Sequence, residues 1–177
     1  MVRTAIQLYT LRNVNEPVPE VVARVGETSF DGVELYDAHF EQFDDRTLLD
    51  RTADALAEPD LAVPAAHASV DRLASDADAV VEVCRALDCP RVVVPSYEST
   101  AFESAAGIAR VADRLAALAA EFAAADLELL YHNHTFEFDA VDGTVAFERF
   151  VDLAAGRFGF EPDVGLAAHA GYDPLDL

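Results

Sequence analysis

Arg91-Val92-Val93-Val94-Pro95, an alanine-rich stretch of helical spacing over 101 to 125, and then Leu127-Glu128-Leu129-Leu130-Tyr131-His132 form the passage that decides the fold. Short apolar runs flanking one long amphipathic helix read as strand, helix, strand, and strands joined this way lie parallel through a right-handed crossover. The same rhythm recurs on both sides. Towards the N-terminus the spacing predicts a strand over 3 to 9, a helix over 17 to 28 opened by Pro17, and a strand at Gly32-Val33-Glu34-Leu35-Tyr36. A helix from Asp44 to Glu58 stopped by Pro59, a strand from Leu61 to His67 and a helix over 76 to 87 complete that half. Towards the C-terminus a helix is predicted over 145 to 155, a strand around 158 to 164, and a sixth helix opening after Asp173-Pro174.

Alternating strands and helices imply an α/β chain with a parallel sheet, expected as a single domain over 1 to 177, with no linker or low-complexity tract. An open nucleotide-binding sheet usually carries a Gly-rich turn, and neither Gly-x-Gly-x-x-Gly nor Gly-x-x-x-x-Gly-Lys occurs. A parallel (β/α) TIM-type barrel is therefore expected. It would be incomplete, with about six βα units, because a closed barrel takes about 250 residues and this chain has 177.

The charge is lopsided: 33 acidic against 12 basic residues, a formal net charge of -21, and every basic residue is Arg. Dense carboxylates keep a protein hydrated where salt screens their repulsion, which suggests a halophilic source. The same charge opposes nucleic acid, which demands clustered cations, and an anionic membrane surface. Cys84 and Cys89 lack metal-type spacing and read as buried thiols. With no apolar leader and no apolar run of transmembrane length, the expected location is cytoplasmic.

In parallel α/β folds ligands bind at the carboxyl ends of the strands, so the chemistry is sought there. Strand one delivers Gln7 and Tyr9, strand two Glu34, strand three His67, strand five His132, Asn133 and His134, and strand six Asp163; His39 and His169 fall in the loops after strands two and six. His132 and His134 are two apart and share a strand face, with Asp163 at the matching end of the next strand about 4.8 Å away. Imidazole plus carboxylate suits a divalent cation such as Mn, Zn or Co, with Mg also open. The spacing equally admits hydrogen-bonded polar plugs. Glu34, in an otherwise apolar strand, is costly unless paired or hydrated, and reads as a base or hydroxyl anchor. His67, the one polar side chain of its strand, reads either as a proton-transfer group or as a satisfied core histidine. Gln7, Tyr9, Asn133 and His169 are candidate substrate contacts. No serine or cysteine nucleophile with an adjacent base is evident.

Four strings carry a family resemblance: Ala5-Ile6-Gln7-Leu8-Tyr9-Thr10-Leu11-Arg12, Phe30-Asp31-Gly32-Val33-Glu34-Leu35, Tyr131-His132-Asn133-His134-Thr135-Phe136-Glu137-Phe138, and Asp163-Val164-Gly165-Leu166-Ala167. In order and spacing they resemble blocks of the xylose-isomerase-like sugar phosphate isomerases and epimerases. The resemblance implies a TIM barrel with a divalent metal and a carbohydrate substrate. Proton transfer beside a carbonyl or hydroxyl would pass through a metal-stabilised enediolate. Carried over by position, the strand-five ligand, usually Glu, falls on His132 and the strand-six Asp on Asp163, with His134 as a neighbouring site residue. Glu34, His67 and His134 are the candidate catalytic groups. Relatives of this kind continue through two more strands bearing a His and a Glu, so the chain offers half of such a metal site. Its unclosed sheet has edges expected to seek a partner, which makes a homo-oligomer one expectation. A dehydratase of a polyol or keto-sugar needs the same proton abstraction, and an inactive binding module is a different class of answer. A nuclease on this scaffold would need the basic stripe that is missing.

Overall fold

The computed structural model describes residues 2–177. By contacts these form two compact units, residues up to Val92 and Val93–Leu177.

In the first unit β1 (Ala5–Gln7) lies parallel to β2 (Gly32–Glu34) with Ala5 opposite Gly32, Ile6 opposite Val33 and Gln7 opposite Glu34. Single parallel bridges join Gly32 to Ala62 and Leu35 to Ala66, which opens β3 (Ala66–His67). The strand expected over 61 to 67 is thus cut short: Pro64, which lacks an N–H, interrupts the ladder. Gly32 permits this approach, because a Cβ there would stand 2.5 Å from the Ala62 carbonyl oxygen. Tyr9 leaves the predicted strand as well. The Gln7 side-chain oxygen accepts from the Tyr9 N–H and starts a 3₁₀ turn at Leu8–Leu11.

Helix α1 (Val18–Gly26) buries Val18, Val21, Val22 and Val25 and packs on a later helix, α3 (Arg46–Ala57), whose Asp45 cap accepts from Thr47 N–H at 2.9 Å. Between them the expected loop is a short helix, α2 (Asp37–Gln42), which carries His39. A second unforeseen helix, α4 (Val70–Ser75), is capped by Ser69 and tied to α2, where Asp37 accepts from Ser69 N–H at 2.8 Å and from Arg72 Nε at 3.1 Å. Helix α5 (Ala77–Ala86) leads to β4 (Arg91–Val94), within which the unit boundary falls. Cys84 and Cys89 are buried free thiols, as expected.

The second unit is built on α6 (Ala105–Ala123), which packs on β5 (Glu128–His132) and on α7 (Ala146–Ala154). A small hairpin precedes α7, with β6 (Ala140–Val141) and β7 (Thr144–Val145) joined at Asp142-Gly143, both left-handed. β8 (Gly159–Glu161) lies parallel to β5, with Leu130 opposite Gly159, Tyr131 opposite Phe160 and His132 opposite Glu161. The last helix, α8 (Val164–His169), begins directly after β8 rather than beyond Asp173-Pro174, where only a 3₁₀ turn forms. The reason is Asp163, whose carboxylate caps the Leu166 N–H at 2.8 Å.

Helix α6 starts four residues later than its alanine content suggests, because Ser104 caps Gly107 N–H at 3.2 Å. Ser104→Ala is expected to cost about 1 kcal/mol in urea unfolding, the usual worth of such a cap.

Three helices end alike. Asp60, Asp88 and Asp126 have φ of 59°, 49° and 62°, and the next residue's N–H reaches back into the helix, Leu61 to Leu56, Cys89 to Cys84 and Leu127 to Phe122. This six-to-one closure is the Schellman motif, with Asp at the position glycine usually takes. Each time the following residue is buried and starts the run into the next strand region. No helix among the described residues is long and apolar enough to cross a membrane.

Candidate functional site

In the second unit the parallel pairing of β5 and β8 brings their carboxyl ends side by side, and the polar residues cluster there. His132, the last residue of β5, has Nε2 3.9 Å from Asp163 Oδ2 and Nδ1 3.6 Å from Glu161 Oε1. The His134 ring stands 5.5 Å from that of His132, nearly perpendicular, and stacks on Phe136 at 5.9 Å. Its Nδ1 is buried with no hydrogen-bond partner among the described residues. Burial and the adjacent His132 hold the His134 imidazole below its ordinary pKa, with Asp163 opposing, so at neutral pH the ring stays uncharged.

Beneath these groups lies a fully buried carboxylate. Glu137 accepts from Tyr131 Oη at 2.6 Å and from His134 N–H at 2.9 Å. Burial pushes its carboxyl above the ordinary value against the pull of those two bonds. The pair fixes the turn carrying His134 to the strand carrying His132. Asn133, also fully buried, engages the main chain of Asp163 from both ends of its amide.

In the first unit Glu34 and His67 end β2 and β3, and His67 Nε2 is 3.8 Å from Glu34 Oε2. Gln7 sits opposite Glu34 in the register, with its side-chain oxygen turned to the Tyr9 N–H. Tyr9 is 54% exposed, edge-on to Tyr36 and under the Arg12 guanidinium at 4.3 Å. The structure thus joins Glu34 with His67, and His132 with His134 and Asp163. His169 is exposed at the end of α8. His39 is buried in α2, its Nδ1 accepting from Tyr36 N–H.

Two residues escaped the sequence reading. Glu161 stands two before Asp163, as His132 stands two before His134, and that matching period-two pattern was the available signal. Glu137 sits between two phenylalanines, where a carboxylate needs partners nearby.

His132 and Asp163 fit a divalent ion. Their 3.9 Å separation exceeds a hydrogen bond, yet two atoms each bonded about 2.1 Å from one cation can span it. A carboxylate beside the other ring nitrogen, as Glu161 is, commonly orients a ligating imidazole.

No protein-family model and no curated protein matches the chain. Solved structures do. A sugar phosphate isomerase/epimerase from Parabacteroides distasonis superposes with a TM-score of 0.79 at 16% identity, over 98% of this chain and 69% of that one. The probable 3-DHS dehydratase AsbF from Bacillus anthracis follows at 0.77 and 12%, over 99% and 68%. The 3-keto-D-glucoside 4-epimerase YcjR of E. coli gives 0.61 and 14%, over 94% and 69%. The chain therefore has the xylose isomerase-like TIM-barrel fold, and spans about two thirds of the length of these structures.

Proposed function

We propose that the chain serves a metal-dependent isomerase or epimerase acting on a small sugar or sugar phosphate by proton abstraction beside a carbonyl. The observation that carries this reading is the His132, His134 and Asp163 group at the carboxyl ends of two parallel strands. His132 and Asp163 would hold the ion, which when bound supplies Lewis acidity to a substrate oxygen. His134, neutral and with a buried free Nδ1, is suited to hold or pass a proton. Glu161, whose carboxylate lies 3.6 Å from the other ring nitrogen, is placed to orient the His132 ring. Glu34 and His67 are the candidate acid–base pair of the first unit, and Gln7, Tyr9 and His169 are proposed substrate contacts. A dehydratase is the second reading, favoured by the high superposition with AsbF.

Calorimetric titration with manganese and zinc in high salt tests the proposal. Saturable binding that is lost in a His132→Ala, Asp163→Ala double variant that remains folded at the temperature of the titration is expected. Metal-dependent conversion of ketose and aldose phosphates, set against water loss from keto-polyols, then separates the two readings. Equal metal binding by both proteins overturns the assignment of these ligands.

A further inference from the structure

β5 and β8 stay in register as far as His132 opposite Glu161, and the residue after Glu161 is Pro162, which has no N–H to continue a ladder. One step further, the side chain of Asn133 behaves as a strand backbone would. Its Oδ1 accepts from Asp163 N–H at 2.8 Å, and its Nδ2 donates to the Asp163 carbonyl at 3.2 Å and to the His134 carbonyl at 3.4 Å. The residue is fully buried. A primary amide has two N–H donors and one carbonyl acceptor, and here both ends are engaged by main chain.

Asp163 is held a second time through its side chain. Oδ1 accepts from Leu166 N–H at 2.8 Å, which leaves Oδ2 facing His132 Nε2 at 3.9 Å. The main chain is fixed on one side and one carboxylate oxygen on the other, so turning Oδ2 away from His132 breaks the part-buried hydrogen bond to Leu166 N–H. We infer that Asn133 is a positioning residue that aims the Asp163 carboxylate at His132, rather than a contact to substrate. Its use in metal binding rests on the reading proposed above; its geometric role does not.

Two variants test this. Asn133→Ala removes the amide. Asn133→Asp keeps its shape and the acceptor for Asp163 N–H, but sets a carboxylate against two carbonyl oxygens. Amide hydrogen exchange is read at Asp163, which Asn133 bonds directly, and at Leu166, whose N–H is bonded to Asp163 Oδ1 instead. In the wild type both amides are expected to be protected, and in each variant both are expected to exchange at least about tenfold faster. A local packing role would change Asp163 alone. Manganese and zinc affinity is expected to fall about 10- to 100-fold in the Asn133 variants, the usual effect of losing a residue that orients a ligand. In an Asp163→Ala background the same substitutions should leave residual affinity unchanged. An unprotected Asp163 amide in the wild type overturns the inference, as does Leu166 exchange indifferent to Asn133, or the same affinity loss with Asp163 absent. A wild type that binds neither ion, yet in which Leu166 responds to Asn133→Asp, removes the proposed activity and leaves the positioning role standing.

Discussion

Phe150→Ala is expected to destabilise the protein by about 3–5 kcal/mol, the range for emptying a well-packed aromatic site. Phe150 is completely buried on α7 and meets four other rings: Tyr131 at 5.0 Å, Phe102 at 5.3 Å, Phe158 at 5.5 Å and Phe160 at 5.6 Å. Three of these contacts are near perpendicular, the edge-to-face arrangement in which aromatic pairs gain beyond area burial. Alanine leaves a cavity that rings on two strands cannot jointly fill, since Tyr131 and Phe160 are opposite each other in the β5–β8 register. Phe150→Leu keeps most of the volume and is expected to lose clearly less. Urea unfolding at fixed high salt checks both. A loss below about 1 kcal/mol for alanine would mean that this aromatic cluster collapses freely.

Acid is expected to weaken the fold through His39. The ring is 6% exposed, and burial pushes its pKa down to about 4 from an ordinary 6.5. Between those values the unfolded chain binds the proton and the native ring does not, so stability falls as pH drops through that window and is unaffected above it. From pH 7 to pH 4.5 the loss amounts to about 2 kcal/mol at about 1.4 kcal/mol per pKa unit. The many carboxylates titrate over the same range, so the comparison is with His39→Asn. Asparagine offers an oxygen near the place of Nδ1, which accepts from Tyr36 N–H at 3.4 Å, and does not ionise. Unfolding at the two pH values should show wild type losing about 2 kcal/mol more than the variant. Equal losses would show that the ring is protonated within the native fold.

Much of the fold is legible because burial imposes a period. The runs Arg91–Val94 and Glu128–His132 became strands, and the valines of α1 and the leucines of α3 face inward at helical spacing. What escaped is decided by single side chains against single backbone groups. The two short helices after β2 and β3 owe their place to Asp37, Ser69 and Arg72, a contact across more than thirty residues that no window of sequence contains. The end of β1 turns on one Gln7 oxygen, and the start of α8 on one Asp163 oxygen. For the site, the rule that polar groups gather at the carboxyl ends of parallel strands was enough to bring His132 towards His134 and Asp163, although β5 ends at His132 and β8 at Glu161, so neither His134 nor Asp163 shares a strand face as expected. That rule could not reveal that Glu137 and Asn133 face inward, since both follow the strand, where alternation no longer governs direction.

The three aspartates that close α3, α5 and α6 carry a further consequence. Carbonyl groups concentrate negative potential at a helix C-terminus, where a cation helps and an anion does not. Asp60, Asp88 and Asp126 each place an exposed carboxylate there, in a left-handed conformation that glycine would adopt without charge. Dissolved counter-ions are what relieve that opposition. As ionic strength falls, these three helix ends therefore fray first, and the joints that deliver the chain to its next strand are where the electrolyte enters the folding of this protein.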